Sequence, residues 1–449
     1  MAEAGQTIKP QRQPPGLYLL FGVEMWERFS YYGMRAFLVL FLVSTAGGFG
    51  WSKQDAANLY GWYTGLVYLT PIIGGYLADR VLGTHRALII GSIVIASGHF
   101  CLAIQSKPTF FLGLALIILG TGFFKSNIST MVGQLYQPND RRRDAAFTIF
   151  YMGINTGAAL GPIICGYLAK SPRFGWHWGF AAAGVGMVLG LVTYLLLKQR
   201  YLPGIGAAPA ARTVARDSRP QQPLSSDDKR GIAAIAILAF FNISFWVAFE
   251  QAGSSLTFFA EERTQRQFLG LDFLAPYFQS VNPVAIIVLA PVFAWIWGRL
   301  AARGREPSTP IKFATGLFLM SISCAIMVVA ARLSDAGARV SPLWLIVVYA
   351  LQTCGELCLS PVGLSMVTKL APARFASLMM GIWFLAFFVS DRVAGILAGM
   401  VEKVERGEVF HLLGGQADFF LMFVVATFIA GAGLFALAGP VRRLIRGRA

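Results

Sequence analysis

Charge is scarce in this chain: 13% of its 449 residues are Asp, Glu, Lys or Arg, against 56% hydrophobic. With a mean hydropathy of +0.59, that scarcity excludes an ordinary water-soluble globular domain. Histidine is rarer still, and His85, His99, His177 and His411 stand too far apart for metal-ligand spacing. Cys101, Cys165, Cys324, Cys354 and Cys358 form neither a disulfide framework nor a zinc pattern and read as packing residues in apolar segments. A membrane-embedded enzyme would need a nucleophile with its base, or a metal cluster, at depth, and neither pattern is there. No cleavable leader is expected, because MAEAGQTIKPQRQPPG is polar and the apolar run after it is too long for a signal-peptide core.

What the chain has is apolar length. A helix needs roughly 20 apolar residues to cross the hydrocarbon. The sequence predicts twelve such spans, at 17–45, 55–79, 86–105, 109–137, 145–169, 178–197, 231–259, 276–300, 310–332, 342–369, 376–401 and 418–438. Basic residues set their orientation. Lys9, Arg12, Arg80, Arg86, Arg141, Arg142, Arg143, Arg299, Arg303, Arg305, Lys369, Arg374, Arg442, Arg443, Arg446 and Arg448 fall on the side of both termini, whereas the other loops are sparse or mixed, as in EERTQRQ at 261 and VEKVERGE at 401. Cytoplasmic termini follow from the positive-inside rule. The net charge of +16 then reflects topology and contact with anionic lipid, with no nucleic-acid partner expected.

Between the sixth and seventh spans, KQRYLPGIGAAPAARTVARDSRPQQPLSSDDK is rich in Pro, Ala, Arg and Ser and holds no spanning run, as a polar linker would. The expected organisation is an all-α integral membrane protein: a cytoplasmic tail at 1–16, a six-helix bundle at 17–197, a linker at 198–230, a second six-helix bundle at 231–438 and a basic tail at 439–449. A 6+6 layout of this kind matches transporters built from paired bundles.

The first span contains EMWERFSYYGMRAFL at 24–38, which is out of keeping with a lipid-facing helix. At 100° per residue, Glu24, Glu27, Arg28, Tyr31, Tyr32 and Arg35 share an arc of about 140°, and the stripe rises about 16 Å. An ionised side chain at bilayer depth costs on the order of 2.5–3.5 kcal/mol, so these groups are expected to face a bundle interior or a wet cavity and to pair. An internal salt-bridge brace is the plainer alternative, but two glutamates and two arginines with tyrosines between them exceed what bracing needs. Other spans carry matching groups: Lys125 in GTGFFKSNIS, Asn155 in FYMGINTG, Trp246, Glu250 and Gln251 in FWVAFEQ, and Asn282 before Pro283. In the tenth span, Gln352, Glu356 and Ser360 are spaced four apart on one helix face. Ionisable groups of opposite sign from both halves suit a zwitterion held between them.

These segments carry a resemblance. ExxERFxYYG at 24, YLTPIIGGYLADRVLG at 68, GTGFFKSNIS at 120, FYMGINTGAALGP at 150 and GELCLSPVGLSMVTKLAP at 355 are similar, in order and across both halves, to signature segments of the proton-coupled oligopeptide transporters of the major facilitator superfamily. That resemblance implies two bundles around a central cavity opening alternately to either side, with di- and tripeptides entering alongside protons and no other cofactor. It implies that Arg28, Arg35 and Lys125 hold the peptide carboxylate and that Glu356, with Asn155 and Asn282, meets the amino terminus. Tyr31, Tyr32, Tyr68, Trp246 and Trp383 would line side-chain pockets, with Ser360 and Glu250 also facing the peptide. Proton coupling and gating would rest on Glu24, Glu27, Arg28, Arg35, Lys125, Glu250 and Glu356. Because the seventh span is related to the first by bundle symmetry, an Arg35–Glu250 bridge is expected across the outer cavity mouth, and Lys125 and Glu356 are expected to pair between substrates. A monomer in a bacterial inner membrane is implied.

Three departures stand out. Gly61 occupies the position where mammalian-type members have a histidine, so carboxylates must carry the proton. The linker has no room for the two extra helices of many bacterial members. Asp391 and Arg392, in FFVSDRVAG, replace small or amide residues and read as a mutual pair of unknown role. Two further motifs are set aside. GTGFFKS lacks the glycine before lysine that a phosphate loop requires, and YLADRVLGTHR at 77 resembles the superfamily's loop motif, where Asp79 and Arg80 would latch neighbouring helices. A facilitator or exporter of another small solute, and a peptide sensor that moves nothing, remain alternatives.

Overall fold

The structure, a computed structural model, describes residues 12–104, 106–137, 140, 142–207, 209, 225–268, 270–372, 375–409 and 411–445. The expected tail segments 1–11 and 446–449, the linker stretch 210–224, and Lys9, Arg141, Arg374, Arg446 and Arg448 lie outside the described residues. The first half comprises α1 (Pro15–Val43), α2 (Lys53–Leu77), α3 (Thr84–Ala103), α4 (Lys107–Gln134), α5 (Arg142–Lys170) and α6 (Trp176–Tyr201). In the second half follow α7 (Ser226–Phe249), α8 (Ser255–Arg263), α9 (Val281–Ala302), α10 (Thr309–Asp335), α11 (Pro342–Leu370), α12 (Ala376–Ala398), α13 (Val401–Glu405), α14 (Ala417–Ala436) and α15 (Ala438–Ile445). A hairpin of β1 (Gln267–Phe268) and β2 (Leu271–Asp272) follows α8.

Among the described residues, ten helical segments are long and apolar enough to cross a membrane. Two more, α1 and α2, have the length but not the apolarity. Charges at Glu24, Glu27, Arg28 and Arg35 account for α1, and α2 is diluted by Gly, Tyr and Thr. α1 is sheltered over most of its length by neighbouring helices, which is why it tolerates charge, whereas α2 buries Tyr60, Tyr63 and Thr64 on one side and exposes Trp62, Ile72, Ile73 and Tyr76 on the other. Local chemistry fixes several helix starts: Ser52 caps α2 through the Asp55 amide, and Ser225 and Asp228 form a capping box on α7. Proline stands in the first turn of α1, α4, α10 and α11, where a missing N–H is harmless.

Several expected boundaries shift. The segment assigned to the linker is helical at both described ends, since α6 continues to Tyr201 and α7 starts at Ser226. Leu202 is fully buried beside Gly16, and the His85 amide donates to the Gly206 carbonyl, so the chain leaving α6 is docked on the first half. The predicted seventh span is not one continuous α-helix. It stops at Phe249, tightens into a 3-10 turn at Glu250–Gly253 and restarts as α8. At Gly253 a Cβ would collide with the Tyr60 hydroxyl, so the break lets a tyrosine from the other half close in. A 3-10 turn at Ala275–Ser280, carrying Pro276, likewise precedes α9.

Small residues set the tightest packing. A Cβ on Gly157 would run into the Met25 carbonyl and lie 2.8 Å from the Phe29 amide nitrogen, so α1 and α5 touch through backbone. Gly157→Val is therefore expected to exceed the roughly 1–3 kcal/mol of ordinary overpacking, because backbone cannot rotate aside. Thermal unfolding in detergent checks this: a melting temperature equal to the parent's would rule the contact out as a determinant of stability.

Glycine also joins the halves. On α2, a Cβ at Gly61 would lie 2.8 Å from the Asp391 carbonyl oxygen and 2.9 Å from the Gly395 Cα of α12. Elsewhere the Ser280 hydroxyl donates to the Ala159 carbonyl at 2.7 Å, and Pro276 packs on Gly166. Ion pairs between the halves cluster on the face away from the termini: Lys53 with Glu262 at 2.7 Å and with Glu402 at 3.8 Å, and Lys170 with Glu261 at 2.8 Å. The mixed-charge loops at 261 and 401 thus supply anions that the other half's lysines meet. This is a conformation closed on that distal face.

Asp391 and Arg392 do not pair with each other. Successive residues on a helix point about 100° apart: Arg392 reaches Asn58 at 3.2 Å and covers the Trp62 ring of α2, while Asp391 is buried in the seam beside Thr64. Arg80 stacks on Tyr76 of its own segment, 4.6 Å from the ring centroid.

Candidate functional site

A cavity of about 290 Å³ lies between the halves, near the lower end of small-molecule sites. Its ionisable walls come from opposite sides. From α4, the Lys125 ammonium sits 3.9 Å from the Tyr68 ring centroid, a cation–π contact. From α11, Glu356 accepts a 2.8 Å hydrogen bond from Asn282 Nδ2, which also donates to the Thr353 hydroxyl at 2.9 Å. Asn282 reaches both because it stands in the first turn of α9, just after the 3-10 segment. Lys125 and Glu356 do not pair in this conformation, contrary to the expectation for the empty site. Asn155 lines the same wall and donates to the Tyr151 carbonyl one turn earlier on α5.

Toward the distal face the cavity ends at an ion pair. Arg35 of α1 binds Glu250, the first residue of the 3-10 turn, and donates through Nε to the Tyr60 hydroxyl. Both charged groups are about 95% buried. The Tyr32 and Tyr60 rings flank the guanidinium, with centroids 5.8 and 5.6 Å from Cζ. A buried bridge of this kind is dear to break by removing one partner, since the other is left as an unpaired charge.

Aromatic side chains form the remaining walls. Tyr68 stacks on Phe387 at 5.2 Å between centroids, Phe387 lies 5.1 Å from Trp246, and Trp246 donates from its indole to Asn242 at 3.1 Å. Trp383 and Ser360 also face the cavity. Four of the expected site residues do not. Glu24 and Glu27 hold Arg28 between them, at 2.8 and 2.6 Å from its Nε, and Tyr31 packs against Tyr63; all are buried inside the first half, off the cavity wall. The reason is local neutralisation: a cation clamped by two carboxylates within one turn needs no partner from the cavity. Gln352 is also buried away from the lining.

A family model described as the POT family matches residues 85–204 and 209–412. This chain belongs to the POT family. As a POT-family protein it is a multi-pass membrane transporter with the major facilitator fold, not an enzyme. It is 37% identical to the peptide transporter YePEPT of Yersinia enterocolitica, over 95% of this chain and 94% of that one, and 35% identical to a di-/tripeptide transporter of Lactococcus lactis, over 90% and 97%. Among solved structures it matches a peptide transporter POT in complex with sulfate, with a TM-score of 0.87, 35% identity and 97% coverage of each chain. A POT family transporter in complex with 5-aminolevulinic acid matches at 0.86 and 30% identity, covering 96% and 97%.

In this POT-family transporter the sequence reading missed Tyr151, Asn242 and Phe387. Each stands four residues from an expected site residue, namely Asn155, Trp246 and Trp383, so extending those residues by one helical turn would have found them. Ile286 likewise follows Asn282 by four residues, whereas Tyr349 and Gln279 carried no such signal; their place on the wall comes from how α11 and the 3-10 segment before α9 pack.

Proposed function

We propose that this transporter imports di- and tripeptides with protons by alternating access. Lys125 meets the peptide carboxylate, with Arg35 adding positive charge nearby, and Glu356, oriented by Asn282 and aided by Asn155, meets the ammonium. The observation that carries the reading is this opposition of an ammonium and a carboxylate across an aromatic cavity, one from each half. Aromatic walls bury apolar side chains without demanding one hydrogen-bond pattern, which suits broad peptide selectivity. Breaking the Arg35–Glu250 bridge opens the distal face and frees Glu250 to take a proton; remaking it expels the proton. Glu24, Glu27 and Arg28 set the charge of the first half behind Lys125. In this reading the halves 17–197 and 231–438 rock about the site, the segment 198–230 links them, and a monomer works in a bacterial inner membrane with cytoplasmic termini.

Purified protein in liposomes is expected to concentrate labelled dialanine when the outside is acidic. Accumulation untouched by a protonophore would remove the coupling. Exchange without accumulation under any gradient would leave a facilitator, and binding without exchange a sensor. The 5-aminolevulinic acid bound by a relative favours a second reading, in which other small molecules with separated ammonium and carboxylate groups share the site; competition against dialanine uptake tests it.

A further inference from the structure

Asp391 takes no part in the cavity, yet it is a carboxyl group buried to 3% exposure in the middle of α12. Its surroundings explain neither charge nor position. Asp391 sits where α12 meets α2, in the seam that Gly61 and Gly395 bring backbone to backbone. Thr64 of α2 lies beside it, and Oδ2 has no protein partner. Around it stand Tyr31 and Arg35 from α1, Tyr60 and Tyr68 from α2, Lys125 from α4 and Glu250 from the 3-10 turn. None of the basic groups among the described residues forms an ion pair with it: Arg35 is engaged by Glu250, Lys125 lies over Tyr68, and Arg392 points to Asn58 and Trp62.

We propose that Asp391 is a proton-binding site of the α2–α12 seam, protonated while the distal face is closed and ionised once that face opens. A carboxylate without a cation in a dry helix interface pays its full desolvation, whereas the neutral acid does not. Separating α2 from α12 on the distal side wets the seam and removes that penalty. Closure therefore takes up one proton at Asp391, and opening releases it. No covalent step is involved.

The sign separates this site from the bridge. Protonating Glu250 removes the partner of Arg35 and favours the open distal face; protonating Asp391 favours the closed one. Acid thus pulls the two sites in opposite directions. In the Glu250→Gln background the bridge no longer titrates, and the part of the remaining pH response that a non-titrating residue at 391 abolishes belongs to the seam.

The inference rests on the alternating-access reading, so both are tested on one preparation. Spin labels at Ala46 and Ala338, exposed distal positions of the two halves, report the distance across that face in peptide-free protein in lipid nanodiscs between pH 5 and pH 8. In Glu250→Gln the open-to-closed ratio is expected to rise with pH, by up to about tenfold per unit for a single linked proton. Adding Asp391→Asn, which mimics the neutral acid, is expected to flatten the response and hold the face closed. Asp391→Ser, also non-titrating, serves should the Asn variant fold poorly. An undiminished pH response in the folded double variant would overturn the proposal. Dialanine counterflow by the parent protein in liposomes keeps the two ideas distinct: parental exchange together with an undiminished pH response in the double variant sinks the seam site alone, whereas a parent protein that never exchanges peptide sinks the transport reading.

Discussion

Glu250→Gln is expected to abolish proton-driven accumulation of dialanine while sparing counterflow. Glutamine keeps the shape of the side chain and one acceptor for Arg35 but cannot take up or release a proton. One pH unit supplies about 1.4 kcal/mol per proton, or tenfold accumulation, and the variant should show none of it. Its position is informative: Glu250 begins the 3-10 turn between α7 and α8, so a change in the bridge acts where the helix is already broken. If the residue merely braces that break, the glutamine variant should lose counterflow and driven uptake equally and melt earlier. Equal loss of both activities would remove the switch.

Lys125→Ala should weaken peptide binding by the largest margin of any single cavity change. Deleting one partner of a buried charge pair costs roughly 2–5 kcal/mol, about 30-fold or more in affinity. The carboxylate assignment makes a sharper demand. Parent protein should prefer dialanine to dialanine amide, and the variant should not distinguish them, because the missing ammonium is what reads the carboxylate. Glu356→Gln should show the converse, losing its preference for a free amino terminus over an acetylated one. Driven uptake of dialanine at the parental rate by Lys125→Ala would refute the assignment.

The architecture was legible because it follows from composition. Apolar runs give the spans, and the polar stripe on α1 marks a face that lipid cannot solvate. α1 and α2, the helices that carry Arg35 and Tyr68, stand outside the ten apolar enough to cross a membrane, yet both belong to the twelve spans expected from apolar length. What stayed hidden needed three dimensions. Arg28 and Arg35 look equivalent on a helical wheel, yet one is neutralised within its own helix and the other crosses to Glu250. The break after Phe249 has no proline to announce it; it arises where Tyr60 of the other half presses on Gly253. Asp391 and Arg392 were read as a pair because they are adjacent in sequence, and helical geometry turns them apart.

The glycine seam between α2 and α12 has a mechanical meaning. Helices that interlock through large side chains must lift knobs out of holes to change their crossing angle, which makes packed interfaces bistable rather than continuously deformable. At Gly61 and Gly395 there is nothing to lift: the two backbones can part and meet again without dislodging a side chain. At that point of the seam, resistance to rocking falls instead on the side chains around it, on Arg392 over Trp62 and Tyr68 against Phe387, and on the ionic contacts of Lys53, Lys170 and Arg35 with the opposite half, so the charges that latch the distal face also bear on how quickly it is released.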